Sequence, residues 1–355
     1  MPSEDRRPMT GFDPNAAALP GSGIYSLLAT PEESAVHVLA VPFDATASYR
    51  QGAWRGPGAI VRASRQVDLF DAFAGRPYES GIALLESDGR IERLQREAAR
   101  LARGVIDAGG QVAGDPALER ALRRVNAIGD EVNAIVLEAS RAILAAGKLP
   151  ALVGGDHSTP FGAIEACAEL HPGLGVLHFD AHADLRESYE GFEWSHASIM
   201  DNVTRRIAGV GKLIQVGIRD FCEAEVERIR GSGGRIVTVF DRDLARARWL
   251  DRNLGDVIQR TLAQLPEHVY VSFDIDGLDP ALCPNTGTPV PGGLSWDEAG
   301  LWLEALARSG RRVVGLDLNE VNPGSASDDE DSWDAMVGAR LLYRMIGVAL
   351  MTRAR

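Results

Sequence analysis

Histidine is scarce in this chain, seven among 355 residues, yet four of the seven stand in or beside segments crowded with carboxylates. Gly154-Gly155-Asp156-His157-Ser158 is one such segment, and His178-Phe179-Asp180-Ala181-His182-Ala183-Asp184 is a second, with His196 following it. Ser272-Phe273-Asp274-Ile275-Asp276-Gly277-Leu278-Asp279-Pro280 adds paired aspartates. In an extended chain a spacing of two turns Asp180, His182 and Asp184 to one side, and does the same for Asp274 and Asp276. Carboxylates gathered in this way repel one another unless a cation sits between them. Oxygen and imidazole donors suit Mn²⁺, and also Ni²⁺, Co²⁺, Fe²⁺ or Zn²⁺. Four aspartates and two histidines can hold two divalent ions with a bridging water acidic enough to furnish hydroxide near neutral pH, which is a hydrolytic nucleophile.

Each segment also has a plainer use. Asp156-His157-Ser158 alone reads as a turn or helix cap, with Asp156 behind the ligands, and an isolated Asp-x-Asp before glycine is a common turn. Three ligand-type side chains within Asp180–Asp184 have little structural use. His37, His171, His178 and His268 stand singly beside strands or turns, as surface or satisfied core residues do. Gly209-Val210-Gly211-Lys212 lacks the hydroxyl residue and the earlier glycine of a phosphate loop.

The elements that must position these groups follow from the apolar runs. Pro150 to Val153, Gly175 to Leu177 and Val269 to Phe273 each precede a carboxylate segment and look like fully buried parallel strands. Further strands are expected at Val38–Val41, Leu213–Val216, Ile236–Val239 and Val313–Leu318. Helices are expected at Pro57–Ala63, Ile91–Ala108, Asp130–Ala146, Phe161–Leu170, Asp297–Ala307 and from Asp334 to about Met351. This alternation predicts an α/β fold with a mainly parallel sheet between two helical layers, its ligand groups gathered at the strand ends. Residues 1–34, with Asp13-Pro14-Asn15 and Pro20-Gly21-Ser22-Gly23, read as an irregular arm suited to covering a neighbouring subunit, and 35–355 as one catalytic domain.

Composition narrows the partners. Lys+Arg number 37 against 50 Asp+Glu, a net charge of -13, which disfavours nucleic acid and anionic membrane and accommodates a small cation. The start, Met1-Pro2-Ser3-Glu4-Asp5-Arg6-Arg7, lacks the apolar core of a signal peptide, and no run matches a membrane span, so a cytoplasmic enzyme is expected. Cys167, Cys222 and Cys283 are too few and too scattered for a disulfide framework or thiolate site. Cys283, in the loop after the aspartate pair, reads as a small buried side chain.

In order along the chain, Gly52-Ala53-Trp54-Arg55-Gly56-Pro57 with Arg62, the Asp156-His157 segment, Asp180-Ala-His182-Ala-Asp184, Asp274-Ile-Asp276, Thr286-Gly-Thr-Pro-Val-Pro-Gly-Gly293 leading to Glu298, and Asp317-Leu-Asn-Glu320-Val-Asn-Pro resemble the ureohydrolases, the family of arginases and agmatinases. The resemblance implies a three-layer α/β/α sandwich, usually trimeric or hexameric. It implies that His157 and Asp184 serve one ion, His182 and Asp276 the other, and that Asp180 and Asp274 bridge both. It gives Asp184 a part in stabilising the tetrahedral intermediate, makes His196 a proton shuttle, and makes Glu298 the carboxylate that pairs with a guanidinium. Glu298 taken alone would be a helix first-turn carboxylate.

The segment Tyr189-Glu-Gly-Phe192-Glu-Trp194-Ser-His196 departs from the better-known members. It shows neither the Ser- and Asn-bearing grip of arginases nor the Gly-Thr that commonly follows the histidine in agmatinases. Tyr189, Phe192 and Trp194 are instead expected to wall a small pocket for a planar cation. This is similar to ureohydrolases of free guanidine, a branch that favours nickel. The expectation is therefore hydrolysis of guanidine or a short alkylguanidine or biguanide to urea with two Ni²⁺ or Mn²⁺ ions. An agmatinase, a guanidino-acid hydrolase and a supporting subunit of a heteromer are the alternatives.

Overall fold

The structure is a computed structural model describing residues 12–18, 22–87, 89–250, 253–325 and 332–354. In chain order the elements are β1 (Val36–Val41), α1 (Gly56–Ala63), β2 (Ile82–Leu84), α2 (Arg90–Asp107), α3 (Pro116–Ala145), β3 (Leu149–Gly154), α4 (Phe161–Leu170), β4 (Leu174–Phe179), α5 (Ile199–Arg206), β5 (Val210–Ile218), α6 (Glu223–Gly231), β6 (Ile236–Phe240), α7 (Asp241–Trp249), α8 (Leu254–Leu262), β7 (His268–Asp274), α9 (Trp296–Arg308), β8 (Arg312–Asn319) and α10 (Trp333–Arg353). All eight strands run parallel, in the order β2-β1-β3-β8-β7-β4-β5-β6.

Side chains alternate across the sheet. Ala151, Val153, Leu177, Phe179, Val271 and Phe273 turn to a core shared with α1, α8, α9 and α10. Leu152, Leu174, Val176, Leu213 and Tyr270 turn to one shared with α2, α3, α4 and α5. Both faces of the sheet are thereby covered, as a parallel sheet requires. Helix α10 is long and apolar enough to cross a membrane, but most of it is buried against the sheet and its neighbouring helices.

Several elements differ from the sequence expectation. Helix α3 begins at Pro116, not Asp130, because Asp115 caps it by accepting from the amides of Ala117 and Leu118, and proline occupies the first turn. Gly129 lies inside that helix because a β-carbon there would meet the Trp194 indole at 2.5 Å. The three-residue β2 and the polar helices α6 and α7 carry too little apolar periodicity to be read in advance, whereas α8 is amphipathic, with Ile258 and Leu262 buried, and was passed over. The arm is corrected in part: Ile24, Tyr25 and Leu27 are buried in the main core, and the Tyr25 hydroxyl donates to the Ala339 carbonyl at 2.9 Å. Residues 1–11 and 19–21 of the arm lie outside the described residues.

Candidate metal centre

The four central strands β3, β8, β7 and β4 end side by side, and the carboxylate segments begin where they end. His157 follows β3, Asp180 follows β4, and Asp274 closes β7. Around Nδ1 of His157 lie Asp180 Oδ2 at 3.1 Å, Asp274 Oδ2 at 3.3 Å and Asp184 Oδ2 at 3.4 Å. Around Nδ1 of His182 lie Asp276 Oδ2 at 3.1 Å and Asp180 Oδ1 at 3.5 Å. Asp180 presents one oxygen to each imidazole and so belongs to both groups of potential ligands. All six expected ligand side chains are together.

They are not gathered by simple extension. Asp184 has φ 54, in the left-handed region that non-glycine residues avoid, and its carbonyl accepts from the amides of Met200 and Asp201, each at 3.0 Å. Asp274 and Asp276 lie on a turn after β7, with Asp274 Oδ1 accepting from the Asp276 amide at 2.8 Å. The turn and the ligand pair are one feature. Asp156 has the turn role, its Oδ1 accepting from the Ser158 amide at 3.0 Å, while its Oδ2 is buried without a partner among the described residues.

The electrostatics fit divalent cations. Burial, reinforced by the charge of Asp180, pushes Asp184 up to about 8, and burial with the charges of Asp276 and Asp180 raises Asp274 well above the carboxylate range. Burial alone would lower the imidazoles of His157 and His182, but the surrounding aspartates hold both well above their ordinary value. Without metal the cluster can be neutralised only by holding protons. A donor set of buried oxygens and imidazoles, with no thiolate, answers this need with metal. His157, His178, Asp180 and Asp184 form one group close enough together to hold an ion, with Asp274 beside His157, and Asp180, His182 and Asp276 form another.

A sequence profile of the arginase family matches residues 34–347. The chain belongs to the arginase family. Its members are metal-dependent hydrolases of amidino C–N bonds. The chain is 34% identical over 318 residues to N(1)-aminopropylagmatine ureohydrolase of Thermus thermophilus, covering 89% of this chain and 91% of that protein. It is 32% identical over 313 residues to agmatinase of Pyrococcus horikoshii, covering 88% and 91%. The agmatine ureohydrolase structure of Thermoplasma volcanium superposes with TM-score 0.69 at 25% identity, covering 94% and 96%.

Within this arginase-family site the remaining expected residues fall unevenly. His196 is half-buried, its Nδ1 has no hydrogen-bond partner among the described residues, and burial with the nearby charge of His182 pushes it down to about 4, so its imidazole is neutral at pH 7. Tyr189 is half-buried, with its ring 6.3 Å from that of His196. The other two aromatic residues correct the pocket expectation. Phe192 is buried with Ala102, Val105 and Val125. Trp194 packs edge-on against Phe161 and donates from Nε1 to Asp130 at 2.8 Å. Neither wall is open to a ligand, because α2 and α3 take them into the core.

Glu298 takes the first-turn role. Ser295 Oγ accepts from its amide at 3.2 Å, its Oε2 accepts from the Ser295 amide at 3.0 Å, and both carboxylate oxygens receive the guanidinium of Arg248. The expected free face for a substrate guanidinium is thus occupied by the chain's own arginine.

Sequence reading passed over several supporting residues. His178 lies in the site, its Nε2 2.7 Å from Asp180 Oδ2, while its Nδ1 accepts from the Gln215 amide at 3.1 Å. Gln215 Oε1 accepts from Thr238, which orients that amide. The proton of His178 is therefore on Nε2 and directed at Asp180, making His178 a donor to a ligand. Glu320, φ 63, accepts from the His157 amide at 2.9 Å and is raised well above the ordinary range by burial and by Asp274 and Asp156. A polar residue inside a wholly buried strand, as His178 is in β4, was the available signal.

Proposed function

We propose that this protein is a binuclear-metal amidinohydrolase that cleaves the guanidinium group of a small guanidino compound, releasing urea together with an amine or ammonia. The observation that supports it best is Asp180, whose two oxygens face the two imidazoles of a six-residue nitrogen and oxygen donor set. Two divalent ions, Mn²⁺ or Ni²⁺, would acidify a water held between them so that hydroxide is available near pH 7.

The chain's own residues supply the rest. Asp184 accepts a hydrogen bond from the attacking oxygen and stabilises the tetrahedral intermediate after addition at the guanidinium carbon. The proton that the attacking oxygen gives up to Asp184 is delivered to the leaving nitrogen, and the C–N bond breaks as that nitrogen is protonated; His196, neutral and unpartnered at Nδ1, relays protons at the site by accepting at one ring nitrogen as it donates from the other. His182, 24% exposed where the other ligands are nearly sealed, marks the side from which substrate enters.

The named relatives act on aminopropylagmatine or agmatine, which supports a substrate with a tail. Guanidine or a short alkylguanidine is a second reading, favoured by the half-exposed Tyr189 beside His196. Urea release by protein loaded separately with Mn²⁺ and Ni²⁺ tests both, with guanidine, methylguanidine, dimethylbiguanide, agmatine, 4-guanidinobutyrate and arginine as substrates. Urea from any of them supports the reaction, and the preferred substrate decides between the readings. Silence on every substrate, with metal bound, would refute turnover by this chain alone and favour a supporting subunit.

A further inference from the structure

We infer that Gln215 is a positioning residue that keeps His178 from ligating metal, and that it thereby biases the centre towards Mn²⁺ over Ni²⁺. This rests on the metal reading above, and its test reads metal binding rather than turnover. His178 is one of four side chains whose ligand atoms lie close enough together to hold an ion, and its Nε2 stands 2.7 Å from Asp180 Oδ2. An imidazole in that place either takes a cation or donates to the carboxylate. The position of its ring proton decides which.

That proton is fixed from the far side of the ring. Gln215 Nε2 lies 2.7 Å from the carbonyl of Ala183 and 3.1 Å from Nδ1 of His178. A carbonyl only accepts, so the amide nitrogen of Gln215 must face Ala183, and its second N–H meets Nδ1 as a donor. Nδ1 therefore accepts, the ring is neutral, and its one proton is on Nε2, directed at Asp180. Thr238 Oγ1 completes the arrangement by donating to Gln215 Oε1 at 2.9 Å.

The sheet holds these residues in register. His178 of β4 pairs with Gln215 of β5, and Gln215 with Thr238 of β6. On the other side His178 pairs with Ser272 of β7, and Ser272 with Asp317 of β8. Side chains in register on neighbouring strands share a face of the sheet. Asp317, Ser272, His178, Gln215 and Thr238 thus form one polar row across five strands, just inside the strand ends that carry the ligands, and the first four are fully buried. The Ser272 end of the row meets Nε2 of His157 at 2.9 Å, and the Gln215 end governs His178.

The consequence is the kind of cation the centre prefers. With Nε2 of His178 protonated, the first ligand group offers one imidazole nitrogen, from His157, and otherwise carboxylate oxygen, a set that suits Mn²⁺. With that nitrogen free the group would offer two imidazoles, which raises affinity for Ni²⁺ more than for Mn²⁺. Gln215 touches no cation and acts only through the tautomer of His178.

The test measures dissociation constants for Mn²⁺ and Ni²⁺ on chelator-stripped wild type, Gln215→Met and the double variant Gln215→Met/His178→Phe, with thermal midpoints confirming that each is folded. Methionine fills the space of glutamine but offers no N–H, so His178 can carry its proton on Nδ1 and present Nε2. The preference for Ni²⁺ over Mn²⁺ is expected to rise about tenfold or more in Gln215→Met, the order by which partners behind a ligand alter metal binding, and to fall back in the double variant, which has no nitrogen to present. A purely structural role would weaken both ions alike, and an unmoved ratio in folded Gln215→Met overturns the inference. The ¹⁵N resonances of His178 in metal-free wild type, assigned by their loss in His178→Phe, supply a reading that survives any failure of the Gln215 variants to fold. The Nε2–H tautomer is expected, and Nδ1–H overturns the inference. Folded wild type that binds neither ion removes the metal reading and this inference with it, whereas loaded protein that releases no urea leaves the inference standing.

Discussion

His157 and Asp317 are joined through a single hydroxyl. Nε2 of His157 lies 2.9 Å from Ser272 Oγ, which donates at 3.0 Å to Asp317 Oδ1. The one hydroxyl proton goes to the carboxylate, so Ser272 accepts from Nε2–H of the imidazole, and Nδ1 is the nitrogen directed at Asp180, Asp184 and Asp274, the one that must give up its proton for a cation to bind. Three strands contribute to this relay, β7 and β8 directly and β3 through the residue that follows it. Partners behind a metal-binding imidazole set its tautomer and orientation, and losing them typically weakens metal binding about 10- to 100-fold. Ser272→Ala is expected to raise the dissociation constant for Mn²⁺ by that order, measured by titration of chelator-stripped protein. Unchanged affinity would show that packing alone orients His157.

Metal binding must expel protons. In the metal-free chain Asp184 is pushed up to about 8, against an ordinary 3.8, by burial and then by Asp180. Between about pH 4 and 8 the folded metal-free protein thus holds a proton on Asp184 that the unfolded chain has lost, so this group stabilises the fold at the acid end of that window, and its contribution disappears as pH rises through 8. Loading a cation releases the same proton. Apparent Mn²⁺ affinity is expected to rise about tenfold per pH unit for each proton released from pH 6 to 8, while the thermal midpoint of stripped protein falls. Titration calorimetry in buffers of differing ionisation enthalpy measures the protons directly, and a count of zero would contradict the charge arrangement described here.

Trp194 and Phe192 are core residues by placement, and their loss should appear as instability. Trp194 fills the notch left by Gly129 of α3, touches Phe161, and lies 4.6 Å beneath the guanidinium carbon of Arg206. Truncating a buried tryptophan costs about 3–5 kcal/mol. Trp194→Ala is expected to lower the midpoint of urea or thermal unfolding by a margin of that size, without changing the order of preference among guanidino substrates. A changed preference in a variant of undiminished stability would return Trp194 to the pocket.

The contrast between these residues and the ligands shows what sequence carries. The cluster of carboxylates and imidazoles was legible because ligand-type side chains recur in a short window, Asp180, His182 and Asp184 above all, and each carboxylate segment follows a strand of a parallel sheet. The sandwich itself was legible because Val, Ile and Leu runs alternate with helical periodicity. What surrounds the centre was not. Whether Trp194 faces ligand or core depends on Gly129, in a helix whose start lay 14 residues before the expected one. His178 looked solitary because its partner Gln215 is 37 positions away on the neighbouring strand. Local patterns bring out the carboxylate and imidazole cluster, whereas contacts between distant elements decide which aromatic and carboxylate groups remain free.

Glu298 carries the last of these decisions. A capping box engages it with Ser295 at the start of α9, and Arg248 holds both its oxygens from the last turn of α7, with the two side chains 25% and 15% exposed. Removing such a cap costs about 1 kcal/mol, and the partly buried ion pair adds to that. Glu298→Ala is expected to lower the thermal midpoint by a few degrees, to leave metal content unchanged, and to alter KM for a guanidino substrate less than twofold. Arg248→Ala separates the two roles. If Glu298 is structural, this variant also loses stability and does not gain affinity. If Glu298 is a substrate carboxylate masked by Arg248, freeing it lowers KM, and Glu298→Ala raises KM strongly. Paired KM and thermal-midpoint measurements on the two variants decide the matter, and the first pattern is the one that the bidentate contact to Arg248 predicts.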